Sequence, residues 1–170
     1  EVLPHHFLMT HEQVESLGTA AKMSPPLREQ ADVDAMIAGL KDGTIDTLAT
    51  DHAPHTAQEK ALPFLEAPMG IVGLETAIGH TLTHLLHGGV LDLAAVIDRW
   101  SVAPARILHL AGGRLQVGDV ADVTLLDLHQ TWTVDSSRFH SKSTNTPFDG
   151  QSMRGRAVGT IVGGRLVYQI

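Results

Sequence analysis

The run Thr50-Asp51-His52-Ala53-Pro54-His55 puts one carboxylate and two imidazoles into a single short stretch. Imidazoles exchange protons near neutral pH, a carboxylate can act as a general acid or base, and both are ligands for divalent metals. Taken alone, an Asp-His pair after a strand is more often a loop cap or a surface pair than a reactive site. Position argues for chemistry here. Ile45-Asp46-Thr47-Leu48-Ala49 reads as a short buried strand directly before the run. A carboxylate at the end of such a strand, followed by a loop rich in histidine and proline, is where α/β barrels keep their active sites.

The elements around this stretch follow from spacing. Val33, Met36, Ile37 and Leu40 recur at helical intervals, and Gly43 stands where a C-terminal cap belongs. That helix leads straight into Ile45–Thr50, which predicts a strand, helix, strand unit of a parallel sheet. Leu74, Ile78, Leu82, Leu85 and Leu86 form one apolar stripe ended by Gly88-Gly89. Asp92 reads as the N-cap of a helix burying Leu93, Val96, Ile97 and Trp100, and residues 101–110 as a further helix with Pro104 in its first turn. After Gly112-Gly113 the pattern turns to strands: Val120 to Leu126, then Ala157 to Val162 and Arg165 to Tyr168 as a hairpin across Gly163-Gly164. The expected fold class is α/β: the C-terminal part of a (β/α)8 TIM barrel over residues 1–112, then strands of a small β-sandwich over residues 113–170. Two strand-helix units cannot close an eight-stranded barrel, so about three quarters of it would lie outside this sequence. Glu1 to Leu8 has no initiator Met and reads as a strand already in progress, which carries the same expectation of a larger protein.

Composition bounds the chemistry. The 170 residues are 43% hydrophobic and 4% aromatic, ordinary for a globular chain. Twelve Lys and Arg stand against 19 Asp and Glu, a formal charge of -7, and the basic residues are scattered, which argues against a nucleic-acid surface. No apolar run nears the roughly 20 residues of a membrane span, and no basic-then-hydrophobic leader opens the sequence, so the expected location is the cytoplasm. Cysteine is absent, so any metal must be held by His, Asp, Glu or a modified lysine, a donor set suited to zinc or a similar divalent ion.

Several motifs together carry a resemblance. Thr50-Asp51-His52-Ala53-Pro54-His55, Glu59-Lys60 and Glu66-Ala67-Pro68-Met69-Gly70-Ile71-Val72-Gly73-Leu74-Glu75-Thr76 closely resemble the last barrel strand and following loop of type I dihydroorotases, in the amidohydrolase superfamily. The resemblance extends through Pro4-His5-His6, Ala21-Lys22-Met23-Ser24-Pro25-Pro26-Leu27-Arg28, Pro104-Ala105-Arg106-Ile107, Gly118-Asp119-Val120-Ala121-Asp122-Val123 and Asn145-Thr146-Pro147-Phe148. It implies zinc-dependent, reversible hydrolysis of the cyclic amide of dihydroorotate to N-carbamoyl-aspartate in pyrimidine biosynthesis, with one or two Zn2+ ions. Asp51 would ligate a metal and shuttle the catalytic proton. His55 and the backbone of Met69 and Gly70 would bind substrate. Ser24 falls where these enzymes commonly carry asparagine, so its substrate contact departs from the pattern.

The remaining histidines read as structural. In the family the metal histidines come from other strands, so His5-His6 takes a supporting role. His80, His84 and His87 share a helix face but lack an accompanying acid, and are expected to be solvent-exposed beside the leucine stripe. Arg28 reads as a loop-fixing salt bridge. The family's other metal ligands would lie upstream of Glu1, so these 170 residues alone are expected to be inactive. The implied partners are the small-molecule substrate and the N-terminal barrel portion, with a homodimer or an aspartate transcarbamoylase complex left open. Alternatives are another cyclic amidohydrolase, allantoinase or hydantoinase, and a non-catalytic dihydroorotase-like subunit that assembles aspartate transcarbamoylase.

Overall fold

The computed structural model describes residues 1–170, which divide into two compact units. Residues 1–77 with 133–152 form the first, and residues 78–132 with 153–170 form the second. No helix is long and apolar enough to cross a membrane.

In the first unit the parallel pairing is reduced to short bridges. Val2 pairs in parallel with Leu48: the Val2 N–H donates to the Thr47 carbonyl at 3.1 Å, and the Ala49 N–H donates to the Val2 carbonyl at 3.1 Å. The strand expected over Ile45–Thr50 contributes only Leu48, because the Ile45 N–H donates to Gly39 at the end of the preceding helix, at 2.9 Å. A second parallel bridge joins His52 to Ile71, with the Ala53 N–H on the Ile71 carbonyl at 2.8 Å.

Between Val2 and Leu48 run three helices: α1 (Pro4–Leu8), α2 (Gln13–Leu17) and α3 (Gln30–Asp42). The strand expected to continue through Leu8 stops at once. Proline near the start of a helix carries the right φ and lacks only a donor the first turn cannot use, so Pro4 opens α1. Helix α3 matches its pattern: Val33 and Leu40 are buried, and Gly43 caps it with φ of 87°. Val2 and Leu48, the partners of one parallel bridge, lie before and after α3, which keeps the expected strand, helix, strand order with each strand reduced to a bridge residue. The core of this unit is Met9, Ala21, Met23, Leu27, Ile71 and Phe148, with Leu8, Val14 and Leu17 packed against it. Each such large apolar side chain contributes about 1.5–3 kcal/mol on burial. Helix α4 (Ala57–Lys60) follows the Asp-His run, its Thr56 hydroxyl accepting the Glu59 N–H at 3.2 Å while the Glu59 carboxylate accepts the Thr56 N–H at 2.8 Å, the reciprocal arrangement of a capping box.

Helix α5 (Ala77–His80) runs on as π-helical turns over Thr81–Leu86. This differs from the regular stripe expected. Leu74 lies before the helix and is 61% exposed, while His80, Thr81, Leu82 and Leu85 are all buried. An i→i+5 turn holds more residues than an α-turn and so widens the buried face. His80, expected at the surface, is therefore completely enclosed, whereas His84 is exposed and His87 donates from Nε2 to the Leu128 carbonyl at 2.7 Å.

Asp92 caps α6 (Leu93–Ile97) as expected, accepting the Ala95 N–H at 2.8 Å. The helix continues through π-turns over Asp98–Val102 into α7 (Ala103–Ile107) rather than restarting at Ser101. Pro104 has no N–H for an α-type bond, and the wider turn just before it absorbs the mismatch. The Trp100 indole N–H donates to the Thr81 hydroxyl at 3.0 Å. Strands β1 (Val123–Thr133), β2 (Ser152–Val162) and β3 (Arg165–Gln169) form one sheet in that order. β2 and β3 are antiparallel, with Val162 opposite Arg165 and a bulge at Thr160/Ile161. Their turn needs two residues at positive φ, and Gly163 (56°) and Gly164 (77°) supply them. The Trp132 indole N–H donates to the Gly155 carbonyl at 3.0 Å, and the Arg156 guanidinium lies 4.7 Å from the Trp132 ring.

Candidate active site

Asp51 leaves the Leu48 bridge with φ of 47°, a left-handed backbone uncommon outside glycine. Its carboxylate is exposed and takes part in no hydrogen bond or ion pair. The backbone on either side is pinned. His52 Nδ1 accepts the Gly73 N–H at 3.1 Å and lies 3.4 Å from the Leu74 N–H, which leaves its ring proton on Nε2. A Cβ on Gly73 would come within 2.9 Å of the Thr50 carbonyl, so only glycine lets this segment lie flat against the residue before Asp51.

Four residues beyond Asp51, His55 is half-buried and meets the Met69 carbonyl through Nε2 at 2.9 Å. A carbonyl can only accept, so Nε2 carries the hydrogen and Nδ1 is the ring position left to meet a ligand. Gly70 is next to that carbonyl, buried, with φ of 102° and its missing Cβ 2.6 Å from Ala53 Cβ. His55, Met69 and Gly70 are thus brought together on facing loops. Ser24 reaches them less directly: the Gly70 N–H donates to the Lys22 carbonyl at 2.8 Å, two residues ahead of an exposed Ser24 whose hydroxyl makes no hydrogen bond. The Ser24-Pro25 peptide is cis, and the Pro25 carbonyl accepts from His6 Nε2 at 2.9 Å. Beside His6, His5 is 2% exposed with its ring centre 4.4 Å from the His6 ring, and burial first, then the charge of His6, lower its pKa to about 3. Of the two, His6 holds the Ser24-Pro25 segment. Arg28 forms an ion pair with Asp32 at 3.8 Å, largely exposed, so it fixes little.

Three contributors carried no role in the sequence reading. Lys22 Nζ donates to the Phe64, Leu65 and Ala67 carbonyls at 2.6, 3.1 and 2.7 Å. Lys60 Nζ donates to Pro68 and Gly70 at 3.1 Å each, and burial together with the Lys22 charge lowers its pKa. Two ammonium groups thus gather the carbonyls of residues 64–70. Asn145 joins the facing loops: its side chain accepts the His55 N–H at 3.1 Å and donates to the Ala53 and Gly70 carbonyls at 3.0 and 3.3 Å. Both lysines and Asn145 lie inside motifs that the sequence displays, but backbone carbonyls as partners leave no trace in a sequence.

Nowhere do three His, Cys, Asp or Glu side chains come together as a metal set. Tetrahedral zinc takes four donors, so these residues do not form a metal site by themselves.

Residues 4–167 match the model of the amidohydrolase family. Among curated proteins, the chain is 52% identical over 169 residues to a dihydroorotase of Citrifermentans bemidjiense and 50% identical over 169 residues to one of Pelobacter propionicus, covering 99% of this chain each time. It spans 40% of the length of each of those relatives. Among solved structures, it is similar to L-hydantoinase (dihydropyrimidinase) from Arthrobacter aurescens, with TM-score 0.92 and 32% identity over 98% of this chain and 38% of that one. The α/β fold is accordingly part of a TIM-barrel enzyme followed by a small antiparallel sheet, and membership in this group generally brings dependence on metal ions. With parallel bridges feeding an aspartate into a His-Pro loop, and a matched span of residues 4–167, the chain belongs to the amidohydrolase family.

Proposed function

We propose that the chain is the C-terminal part of a dihydroorotase, which hydrolyses the cyclic amide of dihydroorotate reversibly to N-carbamoyl-aspartate. The observation that carries this reading is identity of 50–52% to proteins named dihydroorotase across 99% of the chain, against 32% to the hydantoinase structure. In this reading residues 1–112 belong to the barrel and residues 113–170 to the β-sandwich, and the protein acts in the cytoplasm. Zinc is the proposed metal, one or two ions, with Asp51 as one ligand and the remaining donors outside this chain.

The geometry supports a role for several of the chain's own residues. The Asp51 carboxylate is exposed and unpaired, so it can take a proton from the attacking water and return it to the ring nitrogen as the amide opens. His55 binds the substrate's carboxylate side by donating from Nδ1 with both ring nitrogens carrying hydrogen, and the Met69-Gly70 turn lies beside it, glycine permitting close approach. Ser24 offers a hydroxyl to the same end of the substrate. The partners in this reading are the substrate and the rest of the barrel, with a homodimer or an aspartate transcarbamoylase complex left open.

Dihydroorotate, hydantoin and allantoin assayed side by side on a protein of the relatives' full length test the reading. Turnover of dihydroorotate at least tenfold above the other two is expected. Preference for hydantoin or allantoin would replace the substrate assignment, and no turnover of any would favour a subunit that only assembles.

A further inference from the structure

We propose that Asn145 is a positioning residue, an amide clasp that sets His55 and Gly70 in register for substrate. The inference deepens the reading above and rests on His55 and Gly70 being the substrate contacts. Asn145 comes from the connection ahead of β2, 90 residues from His55, yet it spends its whole amide on the two loops. Oδ1 accepts the His55 N–H at 3.1 Å, while the two Nδ2 hydrogens go to Ala53 at 3.0 Å and Gly70 at 3.3 Å. The orientation of the amide is fixed, since an N–H must face its oxygen and two carbonyls must face its nitrogen. Its own carbonyl accepts the Val72 N–H at 3.1 Å, and the hydroxyl of nearby Ser143 donates to the His55 carbonyl. His55 is therefore held at both its N–H and its C=O by one short segment. Gly70 is held at its N–H by Lys22 and at its carbonyl by Asn145 and Lys60.

The arrangement serves binding geometry more than burial. Asn145 is only half-buried, and the three groups it holds in the loops are backbone atoms of the residues flanking the His55–Met69 contact. No other residue type satisfies one donor and two acceptors with so short a side chain: aspartate is the same shape but keeps only the acceptor half, and alanine keeps neither.

The two halves can be separated in the full-length protein with Asn145→Ala and Asn145→Asp, read by amide hydrogen exchange and by steady-state kinetics. In Asn145→Ala the His55 amide should exchange at least tenfold faster, whereas in Asn145→Asp it should stay protected because the acceptor remains. Both variants should raise KM for dihydroorotate at least tenfold with kcat within threefold, since the groups affected bind substrate and do not react. Ser143→Ala, which frees only the His55 carbonyl, should raise KM by a smaller factor. Circular dichroism melts identify any variant that fails to fold, and the isosteric aspartate guards against that outcome. Unchanged His55 exchange in Asn145→Ala overturns the clasp, as does unchanged KM in both variants. A parent inactive on dihydroorotate refutes the substrate assignment instead; the clasp is then judged by the exchange result and by KM for whichever cyclic amide is turned over.

Discussion

Acidification should unfold this chain partly through one histidine. His5 is 2% exposed, its Nε2 has no hydrogen-bond partner, and its pKa falls from 6.5 to about 3 through burial and the neighbouring His6. The ring is neutral in the folded chain across the ordinary pH range, while in the unfolded chain it gains a proton as pH drops through 6.5. Between those two values the unfolded state binds more protons, so stability is greatest above 6.5 and declines as pH falls toward 3. Down to pH 5 the loss is set by the unfolded value alone, because the folded ring is still neutral there. At about 1.4 kcal/mol per unit over the interval from 6.5 to 5, His5 alone removes about 2 kcal/mol. Urea unfolding at pH 7 and pH 5, with His5→Asn as the non-titrating control, isolates the term. The parent should lose about 2 kcal/mol more than the variant. Equal pH dependence of parent and variant, or an NMR titration in which the folded His5 ring protonates near 6.5, would refute the reasoning.

Three other expectations accompany it. Gly70→Ala forces a side chain onto φ of 102° and into Ala53 Cβ at 2.6 Å, at a cost of about 2–4 kcal/mol read as a lowered Tm; an unchanged Tm would mean the loop relaxes freely. Ser24→Asn should lower KM for dihydroorotate several-fold, because the exposed Ser24 hydroxyl is a shorter donor than an amide, and an unaltered KM would remove Ser24 from the substrate site. The 170-residue chain expressed alone should show no dihydroorotase turnover with added zinc, since no set of three ligands exists in it; measurable turnover would overturn that.

What the sequence disclosed was local. Helix α3 was visible in Val33, Met36, Ile37, Leu40 and Gly43 because its period and its cap are both written in neighbouring residues. The Asp92 cap and the Gly163-Gly164 hairpin were legible for the same reason. The π-turns over residues 81–86 and 98–102 were not, because a stripe of leucines is compatible with either register and packing selects one. That choice also enclosed His80, which spacing alone had put in solvent. Asp51, His55, Met69 and Gly70 stand as candidates because the motifs that hold them are near one another in the chain. Asn145, Lys22 and Lys60 act on backbone atoms of loops distant in sequence, and only coordinates reveal such partners.

The most direct test of the whole account is the carboxylate of Asp51. In the full-length protein, Asp51→Asn keeps the shape of the side chain but cannot carry a proton between water and the ring nitrogen. Turnover of dihydroorotate should fall by a factor of roughly 10²–10⁴ with the circular dichroism spectrum unchanged. Dihydroorotate turnover within a few-fold of the parent in that variant would contradict the account at its centre.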